Sequence, residues 1–153
     1  MTREEFIELL QGENYFSSTE GDKIIITGGF HNHILLDLST IPSNVEFSNS
    51  GFVSMPNLLE IPEGVSFNNT GYVDLSSVRK IAPGTGFNNK GYLSLRSLYN
   101  IPADIRFNNR GEIYAAGIHI DSSDYQISPK ELGIKGISNR SILNLMIRQG
   151  VFL

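Results

Sequence analysis

The stretch from Asn88 to Gly111, NNKGYLSLRSLYNIPADIRFNNRG, ends almost as it begins, with two asparagines, one variable residue and a glycine. The same return occurs along about half of the chain. Three columns repeat every twenty residues: Phe47, Phe67, Phe87 and Phe107; Gly51, Gly71, Gly91 and Gly111; Ile41, Ile61, Ile81 and Ile101. A fixed period near twenty is typical of solenoids, in which each repeat forms one coil and stacks on its neighbour. The sequence therefore predicts four coils over residues 32–111.

Within one coil, the segment GYVDL alternates apolar and polar residues, which is typical of a half-buried strand. Tyr72 and Asp74 are predicted to face outward. The predicted interior positions are Phe67, Val73, Leu75, Val78 and Ile81. Pro62 follows the isoleucine and is predicted to end a strand, because proline cannot donate a ladder hydrogen bond.

The asparagines that precede each glycine are predicted to be structural. Asn49, Asn69, Asn89 and Asn109 recur once per coil, where the chain must turn. Asparagine and glycine both tolerate a positive φ, which is our first explanation of the turn. Because stacked strands lie about 4.8 Å apart, equivalent amides are expected to form a hydrogen-bonded ladder.

The unit resembles short leucine-rich-like repeats of the type SLTSLPEGVxFNNGGxVxL, found in proteins of bacteriophages and gut bacteria. LLEIPEGVSFNNTGYVDLSSV, residues 58–78, carries the closest resemblance. It departs from conventional leucine-rich repeats, because Val78 and Leu98 stand where those repeats have asparagine. The resemblance implies a leucine-rich-repeat-like solenoid, often phage-borne, and does not imply an activity.

Both ends of the chain depart from the repeat, as the capping units of a solenoid do. Thr2 and Glu5 predict a capping box that starts an N-terminal helix, and KIIITGG predicts a strand and turn. Ser128, Pro129 and Glu131 predict the start of a C-terminal helix. The chain is therefore expected to be a single domain, 1–153, mainly β. Its parts are an N-terminal cap at 1–31, four coils at 32–111, a degenerate last coil at 112–127 and a helical cap at 128–153.

Outward-facing residues of successive coils predict a surface for a protein partner. Its members are Phe52, Ser54, Tyr72, Asp74, Tyr92, Ser94 and Arg96. Phe52, Tyr72 and Tyr92 are predicted to form one aromatic column, and tyrosine suits a protein contact because its ring is large, rigid and polar at one end. In the alternative interpretation the column only stabilises the sheet.

Charge is also sorted along the repeats. The segment 34–75 carries five acidic residues and no lysine or arginine, whereas the segment 76–111 carries six basic residues and one acidic residue. Either this sorting reflects drift on solvated faces, or it orients a bipolar rod on a partner or on a second copy.

Chemical motifs for catalysis are weak. The sequence has no cysteine, phosphate-binding loop or nucleophile elbow. The triplet HNH at 31–33 is contiguous, unlike the dispersed motif of HNH nucleases, and is expected to be exposed polar surface. We therefore expect no enzymatic activity, no cofactor and no metal site.

The net charge of −4 does not favour nucleic acid or anionic membranes as partners. No apolar stretch is long enough to span a bilayer, and the N-terminus lacks the pattern of a signal peptide. The cytoplasm is therefore the expected location, and it is that of a bacterial host if the protein is phage-encoded.

The favoured function is a non-enzymatic protein-interaction module of phage or prophage origin. The alternatives are a self-assembling, virion-associated protein and a DNA-binding regulator that uses its C-terminal helices, where Ser138, Asn139, Arg140 and Asn144 would face the groove.

Overall fold

The structure, a computed structural model, describes residues 1–29, 31 and 33–98 and three strands further along the chain. One helix, α1 (Arg3–Gly12), precedes the strands. The strands are β1 (Phe16–Glu20), β2 (Lys23–Gly28), β3 (Ile34–Leu35), β4 (Val45–Phe47), β5 (Val53–Ser54), β6 (Glu60–Ile61), β7 (Ser66–Phe67), β8 (Val73–Asp74), β9 (Lys80–Ile81), β10 (Gly86–Phe87), β11 (Leu93–Leu95), β12 (Arg106–Phe107), β13 (Ile113–Ala115) and β14 (Ile118–Ile120).

The strands form three stacked faces, and the second and third coils contribute one strand to each of them. Face 1 contains β3, β5, β8, β11 and β13 in parallel, followed by antiparallel β14. Face 2 contains β6 and β9, and face 3 contains β2, β4, β7, β10 and β12 in parallel, with antiparallel β1 at its end. The chain is therefore mainly β and forms a β-solenoid of about three turns with one N-terminal helix.

The twenty-residue period is also the register of the sheets. Val53 pairs with Val73, and Val73 pairs with Leu93. The fourth predicted coil contributes β11 and β12, but residues 99–105 lie outside the described residues. So do the predicted degenerate coil at 112–127, apart from strands β13 and β14, and the predicted helical cap at 128–153.

The predicted interior of the coils is confirmed. Phe67, Val73, Leu75, Val78 and Ile81 are all buried. Phe47, Phe67 and Phe87 form a continuous stack, with centroid distances of 5.0 and 5.4 Å and interplanar angles of 5° and 4°. Each ring thus packs against its equivalents in the neighbouring coils, which extends one core along the solenoid axis.

The corner between face 3 and face 1 contains the predicted asparagine ladder in part, with one bond between side-chain amides and one from a backbone N–H, and the predicted fourth member, Asn109, lies outside the described residues. Asn49, Asn69 and Asn89 are all buried. Asn69 Nδ2 donates to Asn49 Oδ1, and the Asn69 backbone N–H donates to Asn89 Oδ1 at 3.2 Å. These bonds connect three successive coils through side chains that cannot reach water.

The same corner corrects our explanation of the glycine column. Neither the asparagines of the ladder nor Gly71 and Gly91 have a positive φ. Glycine recurs because the coils approach too closely for a side chain. A Cβ on Gly71 would lie 2.6 Å from Gly51 O, and one on Gly91 would lie 2.5 Å from Gly71 O.

Positive φ values occur instead at the corner between face 2 and face 3. Asn44, Gly64 and Gly84 have φ values of 59°, 73° and 79° and also recur every twenty residues. The left-handed region is accessible to glycine and, at modest cost, to asparagine. Sequence reasoning missed this column because the positions are occupied by two residue types and follow no apolar pattern.

Strand β6 of face 2 ends at Ile61, immediately before Pro62, where we predicted proline to end a strand. In the third coil strand β9 also ends at the isoleucine, Ile81, although the proline comes one residue later, and the backbone N–H of Ala82 donates to Ile61 O at 2.9 Å. The strand therefore ends at this position with or without a proline directly after it.

The N-terminal cap begins with the predicted capping box. Thr2 N–H donates to Glu5 Oε2 at 2.7 Å, and Glu5 N–H donates to Thr2 Oγ1 at 3.2 Å. The bonds from Thr2 hold the pKa of Glu5 below its ordinary value. Phe6 and Leu10 of α1 are fully buried and close the end of the core.

The cap also contains a hairpin that sequence reasoning missed. Strand β1 pairs with β2 across a turn at Gly21, whose φ is 59°. FSSTE contains a single apolar residue, so it lacks the apolar alternation that identifies a strand. The available signal was the Gly-Asp dipeptide at 21–22, which favours a two-residue hairpin turn.

Candidate protein-interaction surface

The predicted surface lies on and beside face 1. Ser54 of β5 pairs with Asp74 of β8, and Asp74 pairs with Ser94 of β11. Tyr72 and Tyr92 directly precede their strands. Parallel, in-register pairing therefore places equivalent residues of adjacent coils side by side, at a spacing of about 4.8 Å.

Four of the predicted residues form one connected group, which we call the tyrosine cluster: Tyr72, Asp74, Tyr92 and Arg96. The Tyr72 and Tyr92 rings stack with their centroids 4.9 Å apart and their planes inclined at 25°. The Arg96 guanidinium donates a hydrogen bond to the Tyr92 hydroxyl, and this bond raises the pKa of Arg96 above its ordinary value. The cluster thus joins two coils through aromatic and polar contacts.

The protonation of Tyr72 is also affected by its surroundings. Partial burial raises its pKa above the ordinary value, and the negative charge of Asp74 adds to the effect. Both causes favour the neutral phenol, because burial and a nearby carboxylate each oppose a phenolate. Asp74 is itself oriented by the backbone, since its Oδ1 accepts from Ser76 N–H at 3.0 Å. Tyr72 therefore remains a hydrogen-bond donor at neutral pH.

The aromatic column is not continuous in the way we predicted. Phe52 stacks on His33 instead, with a centroid distance of 3.9 Å and an interplanar angle of 25°. The backbone N–H of Phe52 also contacts His33 Nδ1 at 3.5 Å. The rings thus form two pairs, His33 with Phe52 and Tyr72 with Tyr92. Sequence reasoning missed His33 because it precedes Phe52 by nineteen residues and falls outside the twenty-residue register.

Ser94 requires a correction. We predicted it at the centre of the contact surface, but it is only 1% exposed. On its own strand it lies between Tyr92 and Arg96, two residues away on either side and directed to the same face. Tyr92 and Arg96, whose longer side chains bond each other, flank the short serine. Ser94 therefore lies beneath the surface, whereas its equivalents Ser54 and Asp74 are half-buried.

The sorted charges are partly neutralised by contacts between coils. Glu46 on face 3 pairs with Lys23 of the cap and also accepts from Asn68 Nδ2 at 3.2 Å. Glu60 and Lys80 on face 2 lie 3.9 Å apart, with both side chains well exposed. An acidic residue on one coil thus meets a basic residue on an adjacent coil. These pairs weaken the interpretation of the chain as a bipolar rod.

Face 2 carries a groove remote from the tyrosine cluster. It measures about 360 Å³ and is lined by Ser39, Thr40, Ile41, Leu59, Glu60 and Pro62. A ligand pocket of comparable size normally offers several convergent polar groups. Here the ionisable side chain is that of Glu60, which already faces Lys80. The groove therefore provides no arrangement for acid–base chemistry.

Comparison with known proteins identifies no relative. No protein-family model, characterised protein or solved structure matches the chain. The resemblance to phage-type repeats therefore stays a prediction, and the function must be inferred from the geometry of the surface.

Metal binding and membrane insertion find no support in the described part of the chain. No three histidine, aspartate or glutamate side chains within it are grouped so that they could hold a metal ion. Its helix is too short and too polar to cross a membrane. Of the HNH triplet, His31 is exposed, whereas His33 is half-buried against Phe52. The predicted C-terminal DNA-contacting residues lie outside the described residues.

Proposed function

We propose that this protein is a non-enzymatic protein-interaction module whose contact surface is centred on the tyrosine cluster. The observation that carries the proposal is the connected arrangement of two stacked phenols, a carboxylate and a guanidinium on adjacent coils. Tyrosine and arginine are among the residue types most enriched at the centres of protein interfaces. Tyr72, 38% exposed, is the most accessible ring of the cluster.

The orientation of the rings favours a protein over a carbohydrate or a nucleobase. Tyr72 and Tyr92 present their faces to each other along the solenoid axis. A sugar or base would have only the outer face of each ring to stack on, because the two inner faces cover each other. The ring edges and the polar side chains bonded to the rings, Asp74 and Arg96, suit hydrogen bonds and apolar contacts with another protein.

The contacts within the cluster also prepare it for binding. A free arginine side chain loses rotamer freedom when a partner immobilises it, at a cost of about 0.5–1.5 kcal/mol. The bond to Tyr92 already restricts Arg96, and the Tyr72 ring is restricted by its stack. Less of the binding free energy is then spent on ordering the surface. These restraints favour a preformed contact site on a rigid solenoid.

The proposal is tested by affinity capture from a host lysate with the immobilised protein. Replacing Tyr72 and Tyr92 together by serine should abolish capture, because truncating such interface residues commonly costs about 2 kcal/mol or more. A double tyrosine-to-phenylalanine variant, which keeps the rings but removes both hydroxyls, should weaken capture less.

The matched control replaces Arg79 and Lys80 by serine. Both residues are exposed, and Lys80 belongs to face 2, away from the cluster. This variant should capture the same protein as the unmodified chain. If the tyrosine-to-serine variant remains folded and captures its partner as before, the cluster is sheet packing only and the proposal fails.

A further inference from the structure

The three faces end differently at the N-terminal side of the solenoid. Face 1 ends at β3, where the Tyr15 hydroxyl donates to Leu35 O at 2.6 Å and accepts from Leu35 N–H at 3.0 Å. The exposed backbone of that edge is therefore satisfied by a side chain. On face 2 the described residues of the first coil contribute no strand, and Leu59 N–H donates to Ser39 O at 3.3 Å. Face 3 ends at β1, all five residues of which are exposed.

The direction of the main-chain groups of β1 follows from its neighbours. Ile24 N–H donates to Asn44 O at 2.9 Å, and Ile26 O accepts from Ser48 N–H at 2.8 Å, so both isoleucines direct these groups towards β4. In an antiparallel pair, a residue whose N–H and C=O point away from the partner strand lies opposite a residue whose N–H and C=O also point away. The residues of β1 opposite Ile24 and Ile26 therefore direct their N–H and C=O groups away from β2. Thr19 lies opposite Ile24, and Ser17 lies opposite Ile26. Their N–H and C=O groups therefore point outward from the edge of the sheet.

Among the described residues, the middle of this edge lacks the usual protection. Exposed edge strands are normally blunted by charged side chains, especially lysine, by proline, by β-bulges, by short length or by a covering element. Strand β1 contains neither lysine nor proline, its one charged residue, Glu20, lies at its end, and at five residues it is longer than β3. A register irregularity lies between Phe16 and Ser17, at one end. Phe16 is 67% exposed, the highest value among the large apolar side chains of the described chain.

We propose that β1 pairs with β1 of a second copy of this chain, antiparallel and about a two-fold axis at Ser18. Ser17 of each copy then lies opposite Thr19 of the other. Ser17 of one copy and Thr19 of the other donate their N–H groups to each other's C=O groups, and the same two bonds form on the other side of the axis. This register therefore pairs the outward-pointing main-chain groups of one β1 with those of the other. The proposal is independent of the tyrosine cluster, which lies on face 1.

Charge placement favours a second copy as the occupant. In this register Glu20 lies opposite Phe16 of the other copy, so no like charges face each other. The two Glu20 residues are four positions apart along the strand, or about 14 Å. That separation exceeds the Debye length of about 8 Å at physiological ionic strength, so their repulsion is largely screened. The exposed Phe16 ring also gains a contact along the stem of that glutamate.

Such an interface is small, and we expect a weak dimer. One pair of five-residue strands buries far less than the roughly 1,200–2,000 Å² of a stable protein–protein interface. The average mass should therefore rise with protein concentration, from monomer towards dimer, in sedimentation equilibrium. A mass that stays at that of the monomer at the highest soluble concentration would overturn the proposal.

The position of the axis is tested by charge exchange at Ser18. Because Ser18 meets its own equivalent, Ser18→Lys and Ser18→Glu each place like charges side by side and should weaken self-association about tenfold or more. Mixing the two variants should restore association, because the opposed charges are then complementary. Ser18 is exposed, so neither change disturbs the core.

The matched control is Ser50→Lys, the same charge change at an exposed serine that belongs neither to β1 nor to its neighbouring strand β2. It should associate like the unmodified chain. Dimerisation that survives both Ser18 variants, or that is lost equally in Ser50→Lys, places the interface elsewhere and overturns the proposal. The proposal is also overturned if the chain stays monomeric and its β1 edge binds only an extended peptide from another protein.

Discussion

The aromatic residues inside the solenoid and those on its surface obey different rules, although the same repeat places them. Inside, Phe47, Phe67 and Phe87 form one unbroken stack whose planes agree within 5°. Outside, the described rings occur as two pairs inclined at 25°, and one pair includes a histidine, His33, that precedes its partner by nineteen residues. The interior must fill space at every coil, because protein cores are close-packed. The surface has no such requirement.

This difference indicates where function is encoded. An interior column is fixed by the need to pack against the coils on both sides, so its regularity reports the fold. A surface position contributes little to stability and is free to vary from one coil to the next. The tyrosine cluster is such a departure, because only two of the described coils combine stacked tyrosines with an acidic and a basic neighbour. Substitutions can test whether the two sets are as energetically distinct as their geometry indicates.

The largest effect is expected from Phe67→Ala. Phe67 is fully buried between two parallel rings, so its truncation leaves a cavity and should lower the free energy of unfolding by about 3–5 kcal/mol. Tyr72→Ala, at the surface, should cost about 0.5–1.5 kcal/mol from its lost stacking. Urea denaturation followed by circular dichroism measures both. Equal losses for the two variants would contradict the distinction between interior and surface.

A smaller effect is expected at the corner, from Gly71→Ala. The new Cβ would meet Gly51 O at 2.6 Å, a backbone atom that cannot turn aside, so the coils must separate. Overpacking of this kind costs about 1–3 kcal/mol. Gly86→Ala is the matched control, because its nearest neighbour, Ser66 Cβ, lies at an ordinary 3.7 Å. We expect the control to be neutral or slightly stabilising in the same denaturation experiment. A Gly71 variant as stable as the control would show that close stacking does not explain the glycine column.

Much of the fold was predictable because stacked coils require similar residues at equivalent positions, so the twenty-residue period is visible in the sequence. The buried columns at Phe67, Val73 and Ile81 follow directly from the sequence, as does the asparagine ladder. The reason for the glycine column did not follow, since a sequence does not distinguish a close approach from a positive φ. Strand β1 was missed because it contributes nothing to the core and so carries no apolar pattern.

The candidate surface was predictable only in outline. Alternation within each strand correctly brought Tyr72, Asp74, Tyr92 and Arg96 to one side of the sheet. It did not predict the burial of Ser94, because that depends on a bond between the side chains on either side of it. Nor did it predict that Phe52 stacks on His33, because on face 1 the first coil is offset from the second by nineteen residues instead of twenty, as the pairing of Ile34 with Val53 shows. Outward side chains do not have to pack against their equivalents in adjacent coils, so their contacts could not be predicted from the repeat in the way that the interior contacts could.

The smallest effect concerns the protonation of Tyr72, which tests the geometry of the surface directly. Its pKa is raised by burial and secondly by the charge of Asp74, so the neutral phenol is favoured in the folded state. The corresponding stabilisation is fully present below the pKa of an unfolded tyrosine, about 10, and is lost as the pH rises through the higher folded value. Asp74→Asn removes the second cause and leaves the first. It should therefore move the titration midpoint of Tyr72 downward, though not fully to the ordinary value, as measured by NMR of ring-labelled tyrosine with Tyr72→Phe for assignment. Asp37→Asn, the same type of substitution on the first coil, is the control and should leave the titration midpoint of Tyr72 unchanged. An unchanged midpoint in Asp74→Asn would mean that the carboxylate of Asp74 does not lie beside the Tyr72 ring.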